Sequence, residues 1–327
     1  MRKTVFLAII INTLTARGDT LSYPDSKPGK TVDTLHDIKV PDPYRWLEDL
    51  NSAQTSAWVK AQNSLTDSYL DAIPGRQALE NHLTKLWNVE RLGVPSFEGG
   101  SYFFSKNNGL QNQSVLYSSK SLDLEPTLLL DPNKLSKDGT VALNSYEVSP
   151  DGKYLAYSTS ASGSDWVEWK VREISSRKDL SDHLKWSKFS GVSWAKNSKG
   201  FYYGRFPTPK DGEEMMAQNI HKKIYFHEIG KPQSEDLLVY ERPNQPKQGL
   251  YAWVTEDGKY LLIQVSQGTD TKNGLFYKDL SNSTSKVIEL LSGFDASYDF
   301  ITNLGSKFII RTDLNAPKQK VISIDVN

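Results

Sequence analysis

The chain has 327 residues, 38% of them hydrophobic and 11% aromatic, enough apolar surface for one large β domain or two ordinary domains. Its 39 Lys and Arg balance 39 Asp and Glu, so no excess positive field exists to draw nucleic acid or an anionic membrane surface, and neither is expected as a partner. The absence of cysteine excludes disulfides, thiolate metal sites and Cys nucleophiles together.

At the start, Arg2 and Lys3 precede a short apolar run from Val5 to Ile11, followed by polar residues ending at Ala16. This reads as a signal peptide over residues 1–16 and implies export to the periplasm or beyond. If the signal is not functional the segment is an ordinary buried one and the protein is cytoplasmic. The run is too short to span a bilayer.

Residues 17–90 read as a helical leader. From Asn51 to Leu70, apolar or small residues recur every four positions at Ala53, Ala57, Ala61, Leu65 and Tyr69, with Trp58 widening the stripe. Asn51 and Ser52 are candidate N-caps, and Pro74 with Gly75 opens a second helical pattern through Leu79, Leu83 and Leu86. The stripe is read as core packing in preference to ligand contact. Asp42, Arg45, Glu48 and Asp49 beside Trp46 suit capping and domain docking better than an active cluster.

From residue 91 to 327 the period changes to two. A unit of alternating strand, Gly-bearing turn and second alternating strand recurs, most plainly in VSPDGKYLAYS at 148–158 and WVTEDGKYLLIQVS at 253–266. Looser copies surround Gly100, Gly200 and Gly305. Together with Gly152 and Gly258, these turn glycines are separated by 52, 48, 58 and 47 residues. Each glycine is expected to supply the positive φ of its turn. A period near fifty with about four strands per unit signals a β-propeller, where a sandwich would give no reason for the recurrence. After the Gly305 hairpin, VISIDV reads as a third strand and the sequence ends, which leads to the expectation of truncation within a blade.

The five histidines have no i, i+4 pattern with Glu, so metal binding is not expected. Strand alternation would put His221 and His227 on one face, in surface or packed roles.

DPYRWLED at 42–49 and AWVKAQNSLTDSYL at 57–70 resemble the opening of the prolyl oligopeptidases. SGSDWVEWKVRE at 162–173, KFSGVSWAKNSKGFYYGRFP at 188–207 and GKPQSEDLLVYE at 230–241 resemble that family's propeller segments, in order. The resemblance runs from about Tyr23 to the last residue. It implies a mainly β fold: an incomplete propeller, about five of an expected seven blades, preceded by the α-helical leader. The α/β-hydrolase catalytic domain of the family is absent from these residues. Intact members cleave short peptides after proline, with the propeller restricting access. In them the leader is part of the catalytic domain, so Trp46 and Trp58 are expected on an exposed apolar patch here.

The family's nucleophile lies in a G-x-S-x-G elbow. GVSWA at 191–195 and GGSYF at 99–103 lack the second glycine and sit on propeller hairpins, so no catalytic residue is assigned, and no cofactor. Local alignment places the family's cavity-lining side chains near Val171, Ser266 and Thr269, where an aromatic and a basic group are expected but Val and Ser stand. Two functions follow. The first is the N-terminal part of a serine endopeptidase, inactive alone, with proline-containing peptides and a separately encoded catalytic domain as partners. The second is a standalone propeller that binds peptides or proteins.

Overall fold

The computed structural model describes residues 21–327, so the signal peptide read over residues 1–16 lies outside the described residues. The chain divides into two compact units, one up to Leu83 and one from Thr84. Among the described residues no helix is long and apolar enough to cross a membrane.

In the first unit a hairpin of β1 (Val32–Leu35) and β2 (Ile38–Pro41) precedes α1 (Ala53–Asp71). Ser52 caps α1, its hydroxyl accepting the Thr55 N–H at 3.0 Å. The covered face of α1 is not the expected stripe. Ala53, Ala57, Ala61 and Tyr69 are exposed, while Thr55, Trp58, Gln62 and Leu65 are wholly or partly covered. Residues four apart drift about 40° per step around a helix, so five of them wander off any one face. The face is chosen instead by the extended segment before β1: the Trp58 indole donates to Ser26 Oγ at 2.8 Å and the Trp46 indole to the Lys27 carbonyl at 3.0 Å.

Trp46 and Trp58 meet edge to face at 6.5 Å and are half-buried, which corrects the expectation of an exposed tryptophan patch. Exposed apolar residues are spread from Ile38 and Leu50 to Leu79, Leu83, Leu86 and Trp87 of α2 (Arg76–Trp87). Arg45 pairs with Asp33, Asp42 and Glu48, so the charged cluster ties the β1–β2 hairpin to the turn before α1.

The second unit contains five antiparallel sheets in chain order. The first has β3 (Arg91–Leu92) and β4 (Ser96–Glu98), which both pair with β5 (Ser101–Asn107), then β6 (Val115–Ser119) and β7 (Thr127–Leu130). The second runs from β8 (Val141–Val148) through β9 (Tyr154–Ala161) and β10 (Val167–Glu173) to β11 (Lys178–Ser187). The third comprises β12 (Val192–Trp194), β13 (Gly200–Arg205), β14 (Lys223–Glu228) and β15 (Leu237–Tyr240). The fourth comprises β16 (Gln248–Val254), β17 (Tyr260–Gln267), β18 (Asn273–Asp279) and β19 (Ile288–Leu291). The fifth has three strands, β20 (Tyr298–Leu304), β21 (Lys307–Thr312) and β22 (Lys320–Asp325). Apart from β3, which pairs with β5 beside β4, each sheet is a meander whose neighbours in space are neighbours in sequence, the pattern of propeller blades.

The core lies between blades. Trp169, Val171 and Leu184 of the second pack with Val192, Trp194, Phe201 and Tyr203 of the third. Leu262 and Tyr277 of the fourth pack with Tyr298, Phe308 and Ile310 of the fifth. Each such large side chain contributes about 1.5–3 kcal/mol on burial, and no blade can bury both faces without a neighbour.

The first hairpin turn of every blade touches the next turn, forming a continuous first rim. A Cβ on Gly99 would stand 2.3 Å from Gly152 Cα. The Asp151 N–H donates to Ser198 Oγ at 3.1 Å, Lys196 Nζ to the Glu256 carbonyl at 2.8 Å, and Asn303 Nδ2 to Asp257 Oδ2 at 2.7 Å. Gly100, Gly152, Gly258 and Gly305 have the expected positive φ. Gly200 does not. It begins β13, where a Cβ would meet the His227 carbonyl oxygen at 2.1 Å, and Ser198 takes the positive φ of that turn at 56°. Close approach of two strands, not turn geometry, requires glycine there.

Candidate functional site

The opposite ends of the sheets form a second rim, built from the 161–167, 187–192, 205–223 and 267–273 connections. Of the non-glycine residues at or beside these connections with left-handed φ, which include Ser162 and His221, the bulkiest are Trp186 at φ 63° and Phe189 at φ 48°, values that disfavour such side chains by roughly 1–2 kcal/mol each. Between them the chain leaves β11 and crosses toward β12. Ser187 Oγ donates to the Gly204 carbonyl at 2.7 Å and the Gly204 N–H donates to Ser190 Oγ at 3.1 Å, so the crossing is stitched to β13 on both sides. Phe189 is thereby left 53% exposed.

Around this crossing stands an aromatic cluster. Trp166 meets Trp186 edge to face at 5.5 Å and Phe206 at 6.1 Å, and its indole donates to the Glu214 carbonyl at 2.7 Å. Two lysines enter the cluster. Lys188 is 6% exposed, with Nζ 3.8 Å from the centre of the Trp166 ring and 3.2 Å from Asn219 Oδ1. Lys222 is 4% exposed, with Nζ 4.1 Å from the centre of the Tyr251 ring and donating to the Phe189 carbonyl at 2.9 Å. Loss of water around the amine pushes Lys222 down to about 7, and burial lowers Lys188 as well.

The sequence places three candidates here, and the structure treats them differently. Ser266, at the end of β17, pairs with Gly249 of β16; a Cβ on Gly249 would stand 2.5 Å from Ser266 Oγ and 3.1 Å from the Tyr251 ring. Gly249 thus leaves open the space between Ser266 and the aromatic neighbour of Lys222. Thr269 lies exposed in the turn between β17 and β18, beside Gly268 at φ 56°. Val171 belongs to neither group. It is in the third strand of its blade, on the alternation phase of Val167 and Trp169, and is fully buried in the core between the second and third blades.

Sequence reasoning missed Trp166, Lys188, Phe189, Lys222 and Tyr251. One signal was present: in HKKIYF at 221–226, Lys222 shares the alternation phase of the buried Ile224, and a lysine on an inward phase asks for an explanation.

Chemically, this rim gathers aromatic faces, hydroxyls and two buried, desolvated amines. Ser193 of GVSWA lies in β12 and its hydroxyl accepts the Val254 N–H at 2.9 Å; Ser101 of GGSYF begins β5. Neither occupies a strand-to-helix elbow. His183 bonds to Glu168, and His227 to Asp182 and Asp236, so these histidines serve carboxylates. His221 precedes β14, out of reach of the strand alternation that was to pair it with His227. Among the described residues no group of three His, Asp or Glu is gathered to hold a metal ion.

Comparison with known proteins adds independent support. Residues 24–327 match the family described as prolyl oligopeptidase, N-terminal β-propeller domain. The chain is similar to the prolyl endopeptidase of Elizabethkingia meningoseptica, 36% identical over 308 residues, covering 94% of this chain and 43% of that protein. It is also similar to the dual function macrocyclase-peptidase POPB of Galerina marginata, 34% identical over 340 residues, covering 94% of this chain and 46% of that protein. Among solved structures, prolyl oligopeptidase B from Galerina marginata bound to a 35mer hydrolysis and macrocyclization substrate superposes with a TM-score of 0.80 at 34% identity, over 93% of this chain and 46% of that one. The chain therefore spans less than half the length of these relatives. Five meandering blades, the leader before them and a match across 24–327 lead to one conclusion: the chain belongs to the prolyl oligopeptidase family and carries its N-terminal β-propeller region.

Proposed function

We propose that this chain is the propeller part of a serine endopeptidase that cleaves short peptides after proline, and that the propeller governs which peptides reach the catalytic centre. The observation that carries the reading is the match of residues 24–327 to the family's propeller region, with relatives named prolyl endopeptidases at 36% identity. The 327 residues contain no G-x-S-x-G elbow, so nucleophile, base and oxyanion hole are to be supplied by a catalytic domain outside these residues. Proline-containing peptides and that domain are the proposed partners. Export directed by residues 1–16 completes the reading.

The test is hydrolysis of a proline-containing reporter peptide. The purified chain is expected to give no turnover and no labelling by a serine-reactive probe, and to alter peptide length selectivity when combined with a catalytic domain of the family. Turnover that titrates with the chain itself overturns the division of labour. Peptide binding with no effect on any catalytic domain supports the standalone binding propeller instead. N-terminal sequencing of protein recovered outside the cytoplasm, beginning after Ala16, checks export.

A further inference from the structure

The face of the second blade that meets the first carries a cavity at its second-rim end. On this face Leu155 and Tyr157 of β9 pack with Leu129 and Leu130, and strand alternation continues it through Thr159 and Ala161. Thr159 stands directly opposite Glu168 of β10, and Tyr157 opposite Lys170, so Thr159, Glu168 and Lys170 project together from one side of the sheet. With Leu135, Val141, Ser164 and Trp166 they line a cavity of about 300 Å³.

Buried hydroxyls normally have a hydrogen-bond partner. Thr159 is 7% exposed, yet among the described residues its hydroxyl makes no hydrogen bond, and it lines the cavity. The Ser164 hydroxyl accepts the Trp166 N–H at 3.1 Å, which leaves its own proton free. Lys170 has no carboxylate partner among the described residues, whereas Glu168 is engaged by His183 at 2.6 Å and Lys185 at 3.7 Å. The donors without acceptors are therefore two hydroxyls and an ammonium, a set suited to an oxyanion. The other walls are apolar: Leu135, Val141 and the Trp166 ring, held in place by its indole bond to the Glu214 carbonyl at 2.7 Å. Ala161, two residues along β9 from Thr159, is exposed, so the cavity opens at the rim.

We propose that this cavity is a subsite for the C-terminal residue of a peptide. The terminal carboxylate pairs with Lys170 and accepts from the Thr159 and Ser164 hydroxyls, while an apolar side chain packs on Leu135, Val141 and Trp166. The volume is at the small end of ligand pockets, which run from roughly 300 to 1,000 Å³, and suits one residue in preference to a longer segment. The inference rests on the peptide-binding reading above and adds to it a ligand class: peptides with a free carboxyl terminus and an apolar last residue.

Calorimetry on the 327-residue chain tests this with three probes: a short proline-containing peptide ending in leucine as its free acid, the same peptide as its C-terminal amide, and N-acetyl-leucine. The free acid is expected to bind at least about tenfold more tightly than the amide, the worth of one hydrogen bond to a charged group. Lys170→Gln is expected to bring that ratio close to one. Ala161→Trp, a change at the exposed mouth, is expected to lower free-acid binding to the level of the amide, and both variants should keep the melting transition of the unaltered chain. Equal binding of acid and amide by the unaltered chain, or an acid preference that survives Lys170→Gln, overturns the subsite and leaves the peptide reading standing. Lys170-dependent binding of N-acetyl-leucine without binding of either peptide supports a carboxylate site in the cavity and overturns its assignment to peptides. Binding of none of the three overturns the subsite, and the length selectivity conferred on a catalytic domain decides the wider reading separately.

Discussion

His227 of β14 and Asp182 of β11 meet across two neighbouring blades, Nε2 to Oδ1 at 2.9 Å, while the other face of the same imidazole reaches Asp236 Oδ1 at 2.7 Å. The histidine is completely buried. Asp182 Oδ1 also accepts the Gly230 N–H at 2.7 Å, and the Tyr203 hydroxyl donates to Asp236. A buried imidazole held between two carboxylates is a clamp on the second and third blades, and its charge state sets its strength.

The clamp predicts a pH dependence of stability. Burial alone would lower the histidine's pKa, but the bonds to Asp182 and Asp236 outweigh it and raise His227 from 6.5 to about 9. A raised folded-state value means stabilisation that is complete below about pH 6.5 and is lost as pH rises through about 9. Thermal melts between pH 6 and 10 should therefore show a falling transition that His227→Gln flattens. Asp182→Ala, which leaves His227 paired with Asp236 but removes the acceptor of its Nε2–H and of the Gly230 N–H, is expected to destabilise by about 1–3 kcal/mol.

Two glycines at comparable places in the repeat should respond differently to substitution. Gly100 has φ 76° and nothing within 4 Å of a Cβ, so Gly100→Ala should lose about 1–2 kcal/mol and Gly100→Asn less, because Asn tolerates the left-handed region. At Gly200 the obstacle is the His227 carbonyl 2.1 Å away, so Ala and Asn should both be damaging, by about 1–3 kcal/mol or more. Urea midpoints of the four variants decide it. Recovery with Asn at position 200 would show that backbone conformation, not crowding, selects its glycine.

The first rim predicts an acid limb. Asp257 accepts bonds from Thr255 Oγ1 at 2.7 Å, the Lys259 N–H at 3.0 Å and Asn303 Nδ2 at 2.7 Å. Partial burial tends to raise its pKa, and these bonds more than reverse that, holding it below the ordinary 3.8. A lowered folded-state value means stabilisation that is present above about pH 3.8 and is lost as pH falls through the lower value. The group is exposed, so Asp257→Asn should weaken the fold by less than about 1 kcal/mol at pH 6 and by nothing measurable at pH 2. Melts at the two pH values provide the comparison.

In the first unit, Trp58→Phe keeps the aromatic body and removes the indole donor to Ser26. The expected loss is about 0.5–1.5 kcal/mol, with faster proteolysis after Lys27 as the segment before β1 loosens. Unchanged proteolysis would mean that the Trp46 bond to the Lys27 carbonyl suffices to hold it.

Much of the fold was legible because strand alternation and turn chemistry are local. All five hairpins written in the sequence, from FEGGSYFFS to ITNLGSKFIIRTD, are paired strands in the structure. Gly200 was misread because a turn glycine and a close-contact glycine look alike without the strand that approaches. The stripe on α1 was misread because a helix has several plausible faces, and only the segment holding Trp46 and Trp58 selects one.

The candidate site was less legible. Ser266 and Thr269 were suggested through resemblance, whereas Lys188, Lys222, Trp166 and Tyr251 come from four separate stretches and carry no spacing relative to one another. By itself the sequence determined a helical leader, a blade-length repeat, the family likeness and the lack of a catalytic elbow within these residues, all matters of local pattern. The tertiary structure alone decided which polar groups were stripped of water: it buried His227 between two carboxylates and Lys222 beside none. Desolvation and charge pairing depend on neighbours remote in the chain, and those neighbours exist only once the blades have packed.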